Sequence, residues 1–359
     1  MNTSLIFFTF IIGIILSYHS NEFNKKNCYI FFSIILSIII ATRDENTPDT
    51  INYLNFYKNI EIGNLVSLSM YSFEPGFQIY THILKIISLN NSTIYLFYIS
   101  ITNSLILYRV INNFDKSLES NPLLFLILYY SFFGLFYNAI VIRAGIAISL
   151  MLYAISIENT SMPQNRKKIL TYFLFIISIS FHYSAILSIF IYILYKIIPK
   201  LPHNVYIIIW IIATMIFVCK ISSHIIPMLL QTLLDIFDKL SGTNFNKYSY
   251  YITELYKLND QLPYRLIFQF IACLLFIPVN TNQKEYYKLL NIYLLGLFLS
   301  SLFYSIEQLS RITDYFLIFS SFLFYFIFQK YLRNKYIIIP YISTIFLHLI
   351  FIIRIIKDN

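Results

Sequence analysis

The chain has 359 residues, of which 58% are apolar and only 12% are charged, and its mean hydropathy is +0.68. This composition excludes an ordinary soluble domain, in which about a quarter of the residues are charged. The formal net charge is +9, but no basic cluster lies on a soluble domain, so we expect no nucleic-acid partner.

Apolar runs of helical length recur from one end of the chain to the other, and each is a candidate membrane span. The first run has no lysine or arginine before it and no A-x-A-like cleavage site after it, so we expect a retained span. We predict about twelve crossings, at residues 4–18, 28–42, 93–109, 122–139, 143–158, 168–182, 184–199, 204–220, 263–280, 287–304, 315–330 and 336–356. Residues 1–359 should therefore form one all-α, polytopic membrane domain.

A further apolar segment, residues 76–88, is too short to cross a membrane. As a helix it would measure about 20 Å, against a hydrocarbon core of roughly 30 Å. We predict that this segment is re-entrant or interfacial.

The positive-inside rule predicts how the spans are oriented. If the loops around 19–27, 110–121, 159–167, 200–203, 281–286 and 331–335 lie in the cytoplasm, the whole excess of positive charge falls on that side. Two long loops, 43–92 and 221–262, then face outward.

Each long outer loop contains a stretch with amphipathic helical spacing, at residues 49–60 and 224–240. We predict that both stretches form helices on the outer membrane surface, with Asp49 as the N-cap of the first.

Arg143 lies in an apolar run from Pro122 to Ile157 that is otherwise uncharged. A guanidinium at the centre of a membrane helix costs at least roughly 2.5–3.5 kcal/mol. Dividing the run into two helices avoids most of this cost, because Arg143 then lies at their tight outer connection. The residues on either side include no close acidic partner, so we expect a carboxylate from elsewhere in the chain or a bound anion.

Other ionisable residues fall on the same predicted outer side. His182 joins two predicted spans, and Glu74 precedes the short apolar segment 76–88. The outer connections also contain Arg43, Asp44, Asp49, Arg265, Glu307, Arg311 and Asp314. An ion pair or interfacial anchor explains any one of them, but the set favours a site for a lipid-linked phosphate or diphosphate. Arginine suits that ligand because its planar fork contacts phosphate oxygens bidentately and keeps its charge.

Several other chemistries lack their sequence motifs. The chain has no D-x-D pair, no H-E-x-x-H, no Walker A sequence, no G-x-S-x-G and no G-x-G-x-x-G. Its three cysteines show no metal-binding spacing. We therefore predict no metal and no cofactor, with arginine electrostatics in their place.

The polar motifs resemble those of the EpsG family of polysaccharide-biosynthesis membrane proteins, which is close to the Wzy O-antigen polymerases. The matching pieces, in order, are RDENTPDTINY (43–53), FEPGF (73–77), IRAGIAISL (142–150), RKK…FHYSA (166–185) and RITDY (311–315). The chain departs from the family pattern at Ala144, where glutamine is typical, and lacks the glycine often found before Asp49.

This resemblance implies a GT-C-like, metal-independent glycosyltransferase of the bacterial inner membrane, with its active site facing the periplasm. Such polymerases transfer a growing glycan from undecaprenyl diphosphate to the terminal sugar of a new undecaprenyl-linked repeat unit. The product is O-antigen or a similar surface polysaccharide. The implied partners are the two lipid-linked glycans, membrane lipids and a chain-length-regulating co-polymerase.

We predict that His182 is the general base, because an imidazole ordinarily titrates near neutrality, with Glu74 or Asp44 as alternatives. Diphosphate and substrate binding are assigned to Arg143, Arg43, Arg311, Asp49, Tyr53 and Tyr315. Three other functions stay open: a flippase or transporter for the lipid-linked oligosaccharide, an O-antigen ligase, and a membrane acyltransferase. A transporter is less favoured because we find no internal repeat.

Overall fold

The computed structural model describes residues 3–19, 24–60, 73–115, 120–223, 228, 232, 263–281, 283–305, 307–331 and 335–358. Within these ranges all regular structure is helical and no strand occurs, which confirms the all-α prediction. The helices of the first half are α1 (Thr3–Tyr18), α2 (Lys25–Ala41), α3 (Thr50–Asn59), α4 (Pro75–Ile87), α5 (Ser92–Phe114), α6 (Pro122–Tyr129), α7 (Leu135–Ala139) and α8 (Ile142–Ser156). Those of the second half are α9 (Gln164–Phe181), α10 (Leu187–Ile197), α11 (His203–Val218), α12 (Tyr264–Phe276), α13 (Lys284–Phe303), α14 (Glu307–Leu317), α15 (Ser320–Tyr331) and α16 (Lys335–Asp358).

Within the described part of the chain, five helical segments are long and apolar enough to cross a membrane: Ser92–Phe114, Pro122–Ala139, Ile142–Asn159, Lys284–Phe303 and Leu309–Lys330. Shorter apolar helices add further candidates. Many large apolar side chains on α1, α2, α9 and α11 are exposed, as expected where a helix faces lipid. The chain is therefore a polytopic membrane protein. The twelve crossings and the GT-C-like arrangement stay predictions.

Asparagine and proline mark the starts of several helices. The side chains of Asn24 and Asn91 accept hydrogen bonds from backbone N–H groups in the first turns of α2 and α5. Pro75 and Pro122 occupy the first positions of α4 and α6, where the missing N–H group has no cost. Local sequence thus explains where these helices begin.

The chain divides into two compact units: Met1–Tyr192 with Phe324–Asn359, and Ile193–Leu323. In the first unit, the segment Pro122–Ala139 forms the core, because nearly all of its side chains are buried. A π-helical turn at Tyr130–Gly134 interrupts this segment and packs against α16. Such turns often accompany functional sites.

Small and polar side chains join the helices of the first unit. Ser37 on α2 donates to Ser100 on α5 at 3.1 Å, and the hydroxyls of Ser104 and Tyr130 are 2.8 Å apart. Without water in the bilayer core, each polar group must find a partner inside the protein, so these bonds hold α2, α5 and the π-helical turn in register.

In the second unit, α13 packs against α11, α12 and α14. The indole of Trp210 donates to the carbonyl of Phe270 at 3.0 Å, and the hydroxyl of Tyr293 donates to the carbonyl of Gln269 at 2.6 Å. Gly296 allows α14 to approach closely, because a Cβ atom there would lie 2.4 Å from the Cβ of Phe316.

The structure changes two predicted boundaries in the second unit. The outer connection expected near residues 305–314 is largely helical, because α14 begins at Glu307 and leaves only a short turn after α13. Helix α12 ends at Phe276 instead of reaching residue 280, and Pro278 explains this, because it has no N–H group to continue the helical hydrogen bonds.

The predicted surface helices have different outcomes. Helix α3 lies within the stretch 49–60, so that helix is confirmed, although its place on the membrane surface stays a prediction. The segment 76–88 is helix α4, with one buried face and one exposed apolar face, as expected for an interfacial element. The stretch 224–240 lies almost entirely outside the described residues.

Candidate active site

Arg143 lies in the first turn of α8, directly after the break that separates this helix from α7. The chain leaves the helical path at residues 140 and 141, and α8 begins at Ile142. Gly145 makes this tight turn possible, because a Cβ atom there would lie 2.6 Å from the carbonyl oxygen of Tyr137. The prediction of two helices joined beside Arg143 is therefore confirmed.

Glu74 is the carboxylate that Arg143 lacks in its own part of the sequence. One carboxylate oxygen of Glu74 accepts a hydrogen bond from Nη1 of Arg143, 69 residues away. The other oxygen lies 2.8 Å from Nδ1 of His182. One buried carboxylate thus joins the two residues that the sequence places first for phosphate binding and for base catalysis.

Two close helix contacts hold these three residues together. A Cβ atom on Gly76 would lie 2.2 Å from Oγ and 2.8 Å from the backbone of Ser180, so only glycine allows α4 to start this close to α9. The hydroxyl of Ser178 donates to the carbonyl of Ala147 at 2.7 Å and ties α9 to α8. Glu74, Arg143 and His182 therefore lie on three elements that are packed against one another.

His182 terminates α9 in an extended conformation. Its N–H group donates to the carbonyl of Ser178, and its own carbonyl accepts from Ala185, which begins the turn into α10. An imidazole whose Nδ1 faces a carboxylate carries its proton there, so Nε2 of the neutral ring becomes an acceptor. About a quarter of the side chain is exposed.

Aromatic rings surround the guanidinium of Arg143. Its Cζ atom lies 4.7 Å from the centroid of the Phe73 ring, a cation–π contact. Phe73 packs in turn against Tyr53 and Phe56 of α3, with ring centroids 5.6 and 4.8 Å apart. These rings fasten α3 to the start of α4, next to Glu74.

A cavity of about 490 Å³ opens beside Arg143. This volume falls within the range of roughly 300–1,000 Å³ that is usual for small-molecule sites. The lining consists of one cation, one carboxylate, three amides and three aromatic rings: Arg143, Asp49, Asn52, Asn55, Asn59, Tyr53, Phe56 and Phe73. Nε of Arg143 is buried and has no hydrogen-bond partner within the described residues.

The surroundings of Glu74 favour its ionised form. Burial opposes ionisation, but the hydrogen bond with His182 and the positive charge of Arg143 outweigh it and lower the pKa of Glu74 to about 2. Such a carboxylate is a poor general base at neutral pH, since it hardly binds a proton. Its geometry suits a different task, which is to orient His182 and Arg143.

Arg43 lies close in sequence to α3, the helix that lines the cavity, but its contacts differ from those of Arg143. Its side chain is buried and donates to Oγ1 of Thr50 at 2.9 Å and to the carbonyls of Ile40 and Asn138 at 3.2 and 3.4 Å. Burial lowers the pKa of Arg43 to about 10, so it stays charged at neutral pH. Nη2 has no hydrogen-bond partner within the described ranges.

The other predicted site residues are distributed more widely. Asp44 is exposed, and its carbonyl accepts from the N–H group of Thr47 in a turn. Asp49 has a positive φ of 60° at the N-cap position of α3, but its side chain makes no capping bond. Arg311, which is exposed, and Tyr315, which is buried, lie on α14 of the second unit, so their place in this site stays a prediction.

Arg265 and Asp314, which the sequence places among the outer charged residues, form a pair within the second unit. Two nitrogens of the Arg265 guanidinium each lie 3.2 Å from one oxygen of Asp314. The ion pair, in which Nη1 also donates a hydrogen bond, explains why both charges are tolerated beside apolar helices.

The asparagines of α3, Phe73 and Gly76 belong to the site but were not predicted from the sequence. Gly76 and Phe73 lie inside the FEPGF motif, but the sequence of this motif does not show which helix they approach. The spacing of the asparagines could have predicted a polar face on α3, because residues three and four positions apart share one face of a helix.

The first unit is a bundle of apolar helices with a Glu–Arg–His cluster beside a cavity, and the class of protein is therefore a polytopic membrane protein with a polar site. A family model described as the EpsG family matches residues 26–359, almost the whole chain. The chain therefore belongs to the EpsG family, which is associated with Wzy-type polymerases and thus with membrane polysaccharide biosynthesis. No curated protein and no solved structure matches it significantly.

Proposed function

We propose that this chain polymerises lipid-linked oligosaccharide repeat units into O-antigen or a similar surface polysaccharide at the periplasmic face of the bacterial inner membrane. The observation that carries the proposal is the Arg143–Glu74–His182 cluster beside the cavity. It combines a cation for a diphosphate with an oriented base for a sugar hydroxyl, which are the two groups that this glycosyl transfer needs. Membership of the EpsG family supports the same class of reaction.

In the proposed reaction, the acceptor hydroxyl attacks C1 of the donor sugar, and the bond from C1 to the phosphate oxygen breaks. The diphosphate leaves with the bonding electron pair, and Arg143 stabilises the charge that develops on it. Nε2 of His182 takes the proton from the attacking hydroxyl. No metal and no cofactor takes part in the proposal.

Glu74 acts through the other two residues. It holds the imidazole so that Nδ1 keeps its proton and Nε2 accepts one, and it stabilises the imidazolium that forms. Before the lipid diphosphate binds, Glu74 also neutralises Arg143 in an apolar setting. The anion can then compete with Glu74 for the guanidinium from the cavity that Arg143 lines.

The direct test uses purified chain in lipid nanodiscs and the lipid-linked repeat unit extracted from cells that lack this gene. We expect the wild-type chain to produce a ladder of longer glycans and the Arg143→Ala chain to form it roughly 10²–10³ times more slowly. A wild-type chain that makes no ladder would overturn the proposal.

A cellular phenotype separates the polymerase from the alternatives. Loss of a polymerase leaves single repeat units exported and attached to the cell surface, whereas loss of a flippase abolishes surface glycan. Loss of a ligase leaves long polymer that is not transferred from its lipid carrier. We expect the first phenotype for this chain.

A further inference from the structure

Helix α3 presents a row of asparagine side chains to the cavity. Asn52, Asn55 and Asn59 are spaced by three and four residues, so they lie along one side of the helix, in line with Asp49 at its start. All three asparagines are exposed and line the cavity that also contains Arg143. The opposite side of α3, which includes Leu54 and Tyr57, is buried.

This asparagine face is unfavourable for the helix itself. Asparagine forms helices less well than alanine by up to roughly 0.7 kcal/mol, and a helix of only 10 residues has little stability to lose. A sequence selected only for helix formation would place Ala, Glu or Lys at these exposed positions. Local preferences that conflict with the fold are expected at functional sites.

The chemistry of the face matches sugar hydroxyls. Each asparagine amide offers two donors and one acceptor without a charge, and a hydroxyl can satisfy either kind of group. The aromatic rings of Tyr53, Phe56 and Phe73 supply the apolar remainder of the lining. A few polar groups placed among aromatic rings are typical of a site that orients a neutral ligand.

We propose that the asparagine face of α3 binds the sugar ring that is joined directly to the diphosphate held by Arg143, and so selects which repeat unit is polymerised. This inference rests on the proposed function. It adds a place for the donor sugar: the diphosphate lies against Arg143, and the hydroxyls of the attached sugar bond to Asn52, Asn55 and Asn59.

The test compares two probes in lipid nanodiscs: undecaprenyl diphosphate, which has no sugar, and the lipid-linked repeat unit extracted from cells that lack this gene. We expect Asn52→Ala and Asn55→Ala each to weaken binding of the repeat unit roughly 3–10-fold, the value of about one hydrogen bond. The double variant should weaken it roughly 10–100-fold. None of these variants should change the affinity for undecaprenyl diphosphate.

Misfolding does not explain such a loss, because alanine is the better helix former at an exposed position. Lys58→Ala is the matched control, since Lys58 is exposed on α3 but does not line the cavity. It should bind both probes like the wild type.

The two proposals fail in different ways. If the asparagine variants bind the repeat unit normally while Arg143→Ala loses undecaprenyl diphosphate, the donor sugar lies elsewhere and this inference is wrong, but the proposed function stands. If the wild-type chain binds neither probe, the proposed function fails and the inference fails with it.

Discussion

Arg43 and Arg143 lie at the same end of the first unit, and their sequence settings look alike, yet their surroundings differ. The contacts of Arg43 reach Thr50 and the carbonyls of Ile40 and Asn138, so it fastens the end of α2 to the start of α3 and the end of α7. Arg143 contacts the side chains of Glu74, Tyr53 and Phe73, and it lines a cavity. About a fifth of its side chain is exposed.

The difference shows how an apolar bundle can use an arginine in two ways. A guanidinium surrounded by backbone carbonyls replaces several lost water contacts at once, and moving it would break them all. A guanidinium paired with one carboxylate can exchange that partner for another anion at lower cost. The first arrangement stabilises the fold, and the second suits binding.

A buried polar network is connected to Arg43 through Asn138. Asn138, whose carbonyl Arg43 contacts, accepts from Asn103 at 2.6 Å and donates to the carbonyl of Gly134 at 2.8 Å. Ser149 of α8 donates to Asn103 at 2.9 Å. The network links the contacts of Arg43 to the helix that carries Arg143, so the structural arginine supports the position of the other one.

The largest effect is expected for His182→Ala. Loss of the general base should reduce the rate of ladder formation by roughly 10²–10⁴. Binding of undecaprenyl diphosphate should change little, because His182 does not hold the phosphate. A variant that keeps the wild-type rate would remove His182 from the mechanism.

Arg143→Ala should reduce the rate by roughly 10²–10³, because charge on the leaving diphosphate is no longer stabilised. Unlike His182→Ala, it should also weaken binding of undecaprenyl diphosphate. Arg143→Lys is the informative companion, since it keeps the charge but loses the bidentate fork. We expect it to recover binding only in part.

Arg43→Met tests whether Arg43 stabilises the fold and does not bind the phosphate. It keeps the apolar stem but leaves buried acceptors unsatisfied, at about 1–3 kcal/mol for each such group. The chain in nanodiscs should unfold at a lower temperature, while the properly folded fraction should still bind undecaprenyl diphosphate. Normal thermal stability combined with lost binding would instead support the phosphate-binding role predicted from the sequence.

The smallest effect is the loss of the stability that Glu74 contributes, and it is confined to acidic pH. The pKa of Glu74 is lowered to about 2, so its contribution to stability is complete above its ordinary pKa and is lost as the pH falls toward 2. Thermal unfolding should therefore become easier between about pH 4.5 and pH 2. In Glu74→Gln this part of the acid sensitivity should be absent. An equally steep loss in the variant would mean that other carboxylates control acid unfolding.

The sequence by itself determined the class of protein and most helix boundaries. Apolar runs of span length have few stable alternatives to a membrane helix, because each backbone polar group must bond within its own segment. For the same reason a charge in such a run indicates a break, and the break before Arg143 was predicted correctly. The motif order also identified the family, which the family model confirms.

Only the tertiary structure decided the partners of those charges. Glu74 and Arg143 are 69 residues apart, and Glu74 and His182 are 108 apart, so local spacing cannot pair them. Their contact depends on the close approach of α4 to α9 at Gly76 and on the bond between Ser178 and Ala147. The same holds for Arg43 and Arg143: burial and the number of backbone acceptors distinguish them, and both arise only when the helices pack.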